Sequence, residues 1–359
     1  MSTLSETPRK PRGGGSLPLV RPQLPGWAPL LVAAESLAVA LLLMVLLGWG
    51  PGLSGLIGLL FYLVVMPVWS SAVEGSRKAR DRLATGLMWS AFVVAMLPLV
   101  TLVWQVLSEG LPVISAQFLT FNMRNVVGEG GGIYHAIMGT FIITGWATVI
   151  SVPVGILAGI YLVEYGDGRR LARVVTFLVD VMTGIPSIVA GLFAYALFVI
   201  FFGPGVRMGF GGSVALSVLM VPIVVRATEE MLKLVPNELR EASYALGVPK
   251  WRTITKVVLP TSMAGIITGI MLAVARVAGE TAPLLIIAGD TDSDNFNAFA
   301  ERMATLPVFI YYSYTQPGVP PEFGQARAWG AALVLITIVM LLNLAARGFS
   351  KYFSPKSGR

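Results

Sequence analysis

The chain has 359 residues, 55% of them hydrophobic and 13% charged, with a net charge of +7 and no cysteine. Such a composition excludes an ordinary water-soluble globule and belongs to a bilayer, while the absence of cysteine excludes disulfides and thiolate chemistry. The basic excess is a topology signal and not a nucleic-acid footprint, as the placement of the charges shows.

Residues 1–29 mix Pro, Gly, Ser and Arg without apolar periodicity and read as a disordered, basic cytoplasmic tail. A signal peptide is not expected, because the apolar run that follows is too long for an h-region and lacks a small-residue cleavage site. A hydrocarbon core about 30 Å thick takes roughly 20 helical residues at about 1.5 Å each. The chain offers that length eight times, near residues 30–49, 53–73, 83–107, 134–163, 174–202, 212–228, 261–288 and 327–347. Lipid leaves no backbone donor unpaired, so these spans must be helices. The fold class is therefore an all-α integral membrane protein with about eight transmembrane helices.

The first two spans, over residues 30–82, form an N-terminal hairpin turned by Gly48, Gly50, Pro51 and Gly52. Gly155 with Gly159, and Gly265 with Gly269, have the small-xxx-small spacing of close helix contacts. Pro186 after Gly184 predicts a kink in the fifth span. Segments 108–133 and 289–326 fall outside the spans, the second carrying Asp290, Asp292, Asp294 and the aromatics Phe309, Tyr311, Tyr312 and Tyr314. Those aromatics suit the headgroup belt, local packing or a docking protein. Glu35 and Asp180 are expected at hydrated interfaces, His135 at an outer boundary, and no metal site is expected.

Basic residues near span ends favour the cytoplasm. With both termini inside, 21 of the 26 Lys and Arg residues lie on the cytoplasmic side, and only Arg124, Arg207 and Arg302 lie clearly outside.

Residues 229–260 interrupt the apolar pattern with a charged insert. Pro236 can open a helix, 237–246 suits one, Gly247 can end it with positive φ, and Pro249 blocks its continuation. Leu239, Ala242, Ser243 and Leu246 share a stripe, with Glu238, Arg240 and Glu241 elsewhere. A helix of about ten residues is marginal alone and needs packing, against its own bundle or a partner.

The spacing Glu241-Ala242-Ser243, three residues, Gly247, nine residues, Val257, one residue, Leu259-Pro260 resembles the cytoplasmic "EAA" loop of ABC-importer permeases, with Ser243 a mild departure. Thr183 to Phe193 and Ala275 to Leu285 look like phosphate permeases, and Gly279-Glu280-Thr281-Ala282-Pro283-Leu284 is similar to the A-type permease subunit of the phosphate-specific transport (Pst) system. The match covers roughly residues 83–347. This resemblance implies a six-helix, type I permease core over 83–348, with the two N-terminal helices added and a cytoplasmic tail at 349–359. It implies import of inorganic phosphate across a bacterial or archaeal plasma membrane, with no enzymatic activity in this chain and both termini cytoplasmic. The implied partners are a C-type permease subunit, a dimer of ATPase subunits that bind the ATP and Mg, and an extracytoplasmic phosphate-binding protein, besides membrane lipid. No phosphate loop of the Gly-x-x-x-x-Gly-Lys-Ser/Thr type occurs here, which fits that division. Glu241, Ala242, Ser243, Gly247, Leu259 and Pro260 are then the ATPase-coupling residues.

The substrate path is assigned to Arg276, Glu280, Arg226 and Thr281. An Arg at a helix centre costs about 2.5–3.5 kcal/mol on insertion scales, so Arg276 needs a reason to be there. Two guanidinium groups suit phosphate through paired hydrogen bonds. Ionised Glu280 can accept from protonated phosphate, which sulfate cannot match. An Arg276–Glu280 ion pair and snorkelling of Arg226 are the plain structural alternatives. Sulfate or molybdate import on the same frame, or a phosphate-sensing membrane signalling subunit, are the alternative functions.

Overall fold

The structure is a computed structural model that describes the backbone of residues 23–353 and the side chains of residues 23–348. Most of the tail predicted over 1–29, and the side chains of the one predicted from 349, lie outside the described residues. The described chain is helical, without strands: α1 (Ala28–Leu47), α2 (Pro51–Val73), α3 (Ser76–Gly110), α4 (Ala116–Thr120), α5 (Tyr134–Ile160), α6 (Arg170–Thr183) and α7 (Ser187–Phe202), then α8 (Gly209–Lys233), α9 (Asn237–Ala245), α10 (Lys250–Thr253), α11 (Leu259–Val277), α12 (Ala282–Ile287), α13 (Leu306–Thr315) and α14 (Pro321–Phe353). Seven stretches are long and apolar enough to cross a membrane, and the bent pair α6–α7 supplies an eighth if counted as one span.

Three predicted spans differ in form. The fifth, expected over 174–202 with a kink, is two helices at 109° to each other. Pro186 lacks the donor needed to continue α6 and holds extended backbone (φ −58°, ψ 138°) before α7. The seventh, expected over 261–288, begins in the charged insert and ends at Val277. Its helix passes through Pro260 because the residues just before it, Ile254–Val258, widen into a π-turn that tolerates the missing N–H. The third starts at Ser76, outside its apolar stretch, since Arg77 to Arg82 continue the helix from the turn made at Gly75 (φ 95°).

Two compact units divide within α3, one reaching Leu102 and the other starting at Val103. In the first, α1 and α2 meet where Gly58 lies so close to Ser36 that an added Cβ would stand 2.7 Å from its carbonyl oxygen. Val32, Met66 and Ala28 fill that contact. The Glu74 carboxylate accepts the Leu24 N–H at 3.0 Å and the Ser70 hydroxyl at 2.7 Å, with Arg82 3.5 Å away. Burial raises its pKa, but these donors prevail and hold it down to about 2.

In the second unit, α8 is the central helix, with α5 on one side and α11 on the other. Added Cβ atoms at Gly155 and Gly159 of α5 would stand 2.6 Å and 2.7 Å from the Cβ atoms of Val224 and Thr228. Gly265 and Gly269 of α11 approach Met231 and Ala227 just as closely. Leu216, Met220, Val224, Ile143 and Ala273 form the fully buried seam of this sandwich. Without a hydrophobic drive between helices in lipid, such backbone approach supplies van der Waals contact that larger residues would block.

Gly159→Val should overpack this seam and cost about 1–3 kcal/mol. The check is the thermal unfolding midpoint in detergent, which should fall; Gly145→Ala, with nothing within 4 Å of its added Cβ, should melt like the wild type.

Candidate functional site

Two regions of the second unit bring the singled-out residues together. The first is the end of α5 and α8. Here Pro236 (φ −59°, ψ 140°) opens α9, and Gly247 (φ 77°) closes it by donating to the Tyr244 carbonyl at 2.9 Å. The predicted helix 237–246 is present with its expected start and stop. Ser243, the departure from the Glu-Ala-Ala pattern, is buried, and its hydroxyl shares a 2.8 Å hydrogen bond with the hydroxyl of Thr253. That bond ties α9 to α10 across the Gly247 turn, which Ala could not do.

The residue that seats α9 on the bundle is one that sequence reasoning left off the packing stripe, Arg240. Its Nε and Nη2 donate to Oε1 of Glu164 at 3.1 Å and 2.9 Å. The same guanidinium donates to the Val235 carbonyl at 2.6 Å and the Leu232 carbonyl at 2.9 Å. Glu164 lies in the π-turn Tyr161–Tyr165 that ends α5, with its side chain only 4% exposed. A charged partner 76 residues away leaves no periodic signal; the only hint is an acidic residue at the last turn of a span. Of the predicted stripe, only Ser243 is buried. Leu239, Ala242 and Leu246 face outward together with Leu234, Tyr244 and Trp251, and Glu241 and Gly247 are exposed beside them. Leu259 and Pro260 lie beyond, in the first turn of α11.

The second region lies where α6 breaks from α7. A cavity of about 200 Å³ is lined there by Thr183, Ser187, Pro222, Ile223, Arg276 and Glu280, among others. The two sequence stretches singled out, 183–193 and 275–285, thus meet in space. They also touch directly, since an added Cβ at Gly191 would stand 2.6 Å from the Pro283 Cα. Among the described residues neither Arg276 nor Glu280 forms an ion pair. The reason is local: α11 stops at Val277, so Glu280 is no longer one helical turn from Arg276. Thr281 follows at the head of α12, and its carbonyl accepts from Leu285 at 3.0 Å.

Arg226 is held elsewhere. It donates to Glu229 at 2.7 Å and to Asp180 of α6, and Glu229 also receives Lys233 at 2.7 Å. This four-membered charge cluster sits one turn of α8 beyond Pro222, toward α9. Asp180, expected in a hydrated interface, is an ion-pair partner of Arg226. His135 is buried and packs edge-on against Phe309 at 5.6 Å.

The sequence profile described as "Binding-protein-dependent transport system inner membrane component" matches residues 151–359. The chain is 48% identical over 285 residues to the phosphate transport system permease protein PstA 1 of Mycobacterium tuberculosis H37Rv, covering 79% of this chain and 91% of that one. It is 41% identical over 277 residues to the PstA permease of Yersinia pestis, covering 76% and 90%. Among solved structures, an inward-facing form of the MetNI methionine ABC transporter aligns with a TM-score of 0.51 at 20% identity, covering 67% of this chain and all of that one. That last likeness concerns the fold alone.

Removing one partner of a buried, hydrogen-bonded ion pair strands the other charge at a cost of about 3–5 kcal/mol. Arg240→Ala is therefore expected to lower the melting midpoint and open residues 234–249 to protease. The Arg240→Ala, Glu164→Gln pair should cost less than the two single changes together, because no buried charge is left alone. Wild-type melting of Arg240→Ala would remove Arg240 as the seat of α9.

Proposed function

The chain belongs to the binding-protein-dependent transport inner membrane components, and within them to the PstA phosphate permeases; on that footing we propose how its residues carry phosphate and couple to ATP. It is a multi-pass plasma-membrane permease subunit of a phosphate ABC importer, and a transport subunit has no reaction of its own to catalyse. The observation that carries the assignment to residues is the cavity of about 200 Å³ in which Arg276 and Glu280 stand unpaired at the α6–α7 break.

Arg276 stands in the last turn of α11, at the end of a membrane span, and an unpaired guanidinium within a membrane protein is costly unless something of opposite charge visits it. A guanidinium offers paired donors to two oxygens of one phosphate, and Glu280 offers an acceptor to a phosphate proton. Thr281 supplies a hydroxyl at the head of α12 beside them. Arg226 acts one turn further along α8, where an arriving anion competes with Asp180 and Glu229 for the guanidinium. Binding there is weak because each approach displaces an existing ion pair, and weak binding suits a path that must also release.

Coupling is assigned to α9 and its turn. The outward apolar side chains Leu239, Leu246 and Trp251 around Glu241 and Gly247 form a face without a partner among the described residues, suited to a groove on an ATPase subunit. Ala242 keeps that face low, Ser243 braces it from behind, and Leu259-Pro260 starts α11 so that a push on α9 reaches the helix carrying Arg276. The ATP and Mg belong to that ATPase dimer, a C-type permease completes the path, and an extracytoplasmic binding protein delivers phosphate. Both termini lie in the cytoplasm on the count of basic residues. The permease core over 83–348 carries this machinery, with 30–82 as an added hairpin.

Cells lacking this chain should fail to take up labelled phosphate and take up labelled sulfate normally. Wild type should restore phosphate uptake and Arg276→Ala should not; unchanged phosphate uptake without the chain, other phosphate carriers being absent, would overturn the assignment. Gly247→Val places a β-branched residue at φ 77°, a conformation that costs L-residues about 1–2 kcal/mol. It should insert normally but lose co-purification of the ATPase, whereas recovery of the ATPase at wild-type stoichiometry would count against the coupling role.

A further inference from the structure

The loop after α12 and the loop before α8 carry two of the three arginines that the charge count leaves outside, Arg302 and Arg207. Both loops are pinned to the end of α12. The Met208 N–H donates to the Ile287 carbonyl at 2.9 Å, and the Met303 N–H donates to the Ala288 carbonyl at 3.1 Å. Each arginine therefore sits one residue from a fixed backbone bond. Their stems converge over Gly289 (φ 76°), where an added Cβ would stand 3.2 Å from Arg207 Cδ and 3.2 Å from Arg302 Cγ.

Two polar cavities, of about 400 and 470 Å³, open on either side of this pair, and Arg207 and Arg302 are the two residues that line both. Among the described residues neither guanidinium makes a hydrogen bond or an ion pair, although acids are near. Asp294 and Glu301 line one cavity, and Asp290, Asp292 and Arg327 the other. Asp294 already accepts from Asn122 at 2.8 Å. Arg327 is spent on the Gly128 and Gly130 carbonyls at 2.7 and 3.1 Å. Asp290 Oδ1 is buried without a hydrogen-bond partner, as is Arg327 Nε.

This place lies far from α9. The start of α5 packs against the same loop, with Leu306 N–H donating to Thr140 at 2.9 Å, while the other end of α5 holds Arg240 through Glu164. From Thr140 to Glu164 the helix runs 24 residues, about 36 Å. The α12 helix, six residues long and so about 9 Å, has Glu280 before its start and Gly289 just past its end.

We propose that Arg207 and Arg302, over the floor made by Gly289 and beside Asp290, form a second oxyanion site at the end of the permease opposite α9, selective for an anion that retains a proton. The proposal rests on the phosphate-importer reading and names a station for phosphate ahead of the Arg276 cavity. Two guanidinium groups whose stems are placed over Gly289, and which have no hydrogen-bond partner among the described residues, match the oxygens of a tetrahedral anion. The neighbouring acids set the selectivity. A fully deprotonated anion meets Asp290 as a repelling charge, whereas hydrogen phosphate can donate its proton to the empty Oδ1. Burial and the charge of Asp292 push Asp290 up to about 6, so at neutral pH it is mostly the ionised acceptor that this requires.

The test uses the assembled importer in nanodiscs, without nucleotide or binding protein, labelled with phenylglyoxal and read peptide by peptide in a mass spectrometer. Inorganic phosphate should slow labelling of Arg207 and Arg302 several-fold, sulfate at equal ionic strength should not, and Asp290→Asn should remove the difference between the two anions. In cells, Arg207→Gln and Arg302→Gln should each reduce phosphate uptake at limiting external phosphate by roughly tenfold, the loss of about 1.4 kcal/mol of anion binding. Arg302→Lys should recover part of it. Equal labelling with and without phosphate, or equal protection by sulfate, overturns the site even where uptake by the wild type is normal. Absence of wild-type phosphate uptake overturns the importer reading instead, so the two failures are told apart.

Discussion

The close approach of α5 and α11 to α8 is the contact on which the rest depends. Helices in lipid gain nothing from hiding apolar side chains, so they associate only where their backbones can come near enough for dense contact. Gly155, Gly159, Gly265 and Gly269 supply that approach against Val224, Thr228, Met231 and Ala227. Because α8 is fixed on both sides, everything it carries is fixed as well. Pro222 and Ile223 wall the Arg276 cavity, Arg226 meets Asp180 and Glu229 one turn on, and the carbonyl of Leu232 receives Arg240. A single helix thus spans from the Arg276 cavity to the seat of α9.

Charge placement separates paired from unpaired groups more sharply than position along the chain does. Glu164 with Arg240, and Arg226 with Asp180 and Glu229, satisfy one another within the subunit. Burying Glu164 with Arg240, and most of Glu229, is tolerable because each carboxylate is held by charged donors, while Asp180 stays exposed. Arg276 and Glu280 stand a few residues apart on a broken backbone and pair with neither each other nor any described neighbour. The break at Val277 is what keeps them apart, for a continuous helix would have placed them at i and i+4 and let them neutralise each other. Irregular backbone at this depth is stable only where it lines a cavity or is covered by protein, and here the cavity is present.

The class of fold, the number of spans and the turn that ends α9 were legible because hydrophobic length, Pro and Gly act locally. Gly247 and Pro236 bound α9 for reasons that reside in those residues alone. The small-residue pairs were visible as spacing, though not which helix they would meet. What escaped was non-local. The break at Pro186 was read as a kink, since no local rule tells a bend from a fold-back of 109°. Leu259-Pro260 looked like the end of the insert, yet a π-turn carries the helix through it. Arg240 was set aside for lying off the apolar stripe, when its partner was a carboxylate on another helix. Ser243 counted as a departure from a pattern until Thr253 appeared opposite it.

Those same non-local contacts are what the coupling proposed above requires of a nine-residue helix. An isolated helix of that length would fray before it moved a bundle. The α9 helix is instead clamped at three kinds of point: the Arg240 fork on Glu164 at the end of α5, the same guanidinium on the carbonyls that end α8, and the Ser243–Thr253 bond to the segment that runs into α11. A displacement of α9 therefore loads all three helices of the glycine-packed sandwich together, and the sandwich is too dense to absorb it by local yielding. Its compliant places are the π-turns at Tyr161–Tyr165 and Ile254–Val258 and the backbone breaks at Pro186 and Val277. Two of those four border the cavity that holds Arg276, so under the coupling proposed above a motion of α9 is relieved at that cavity.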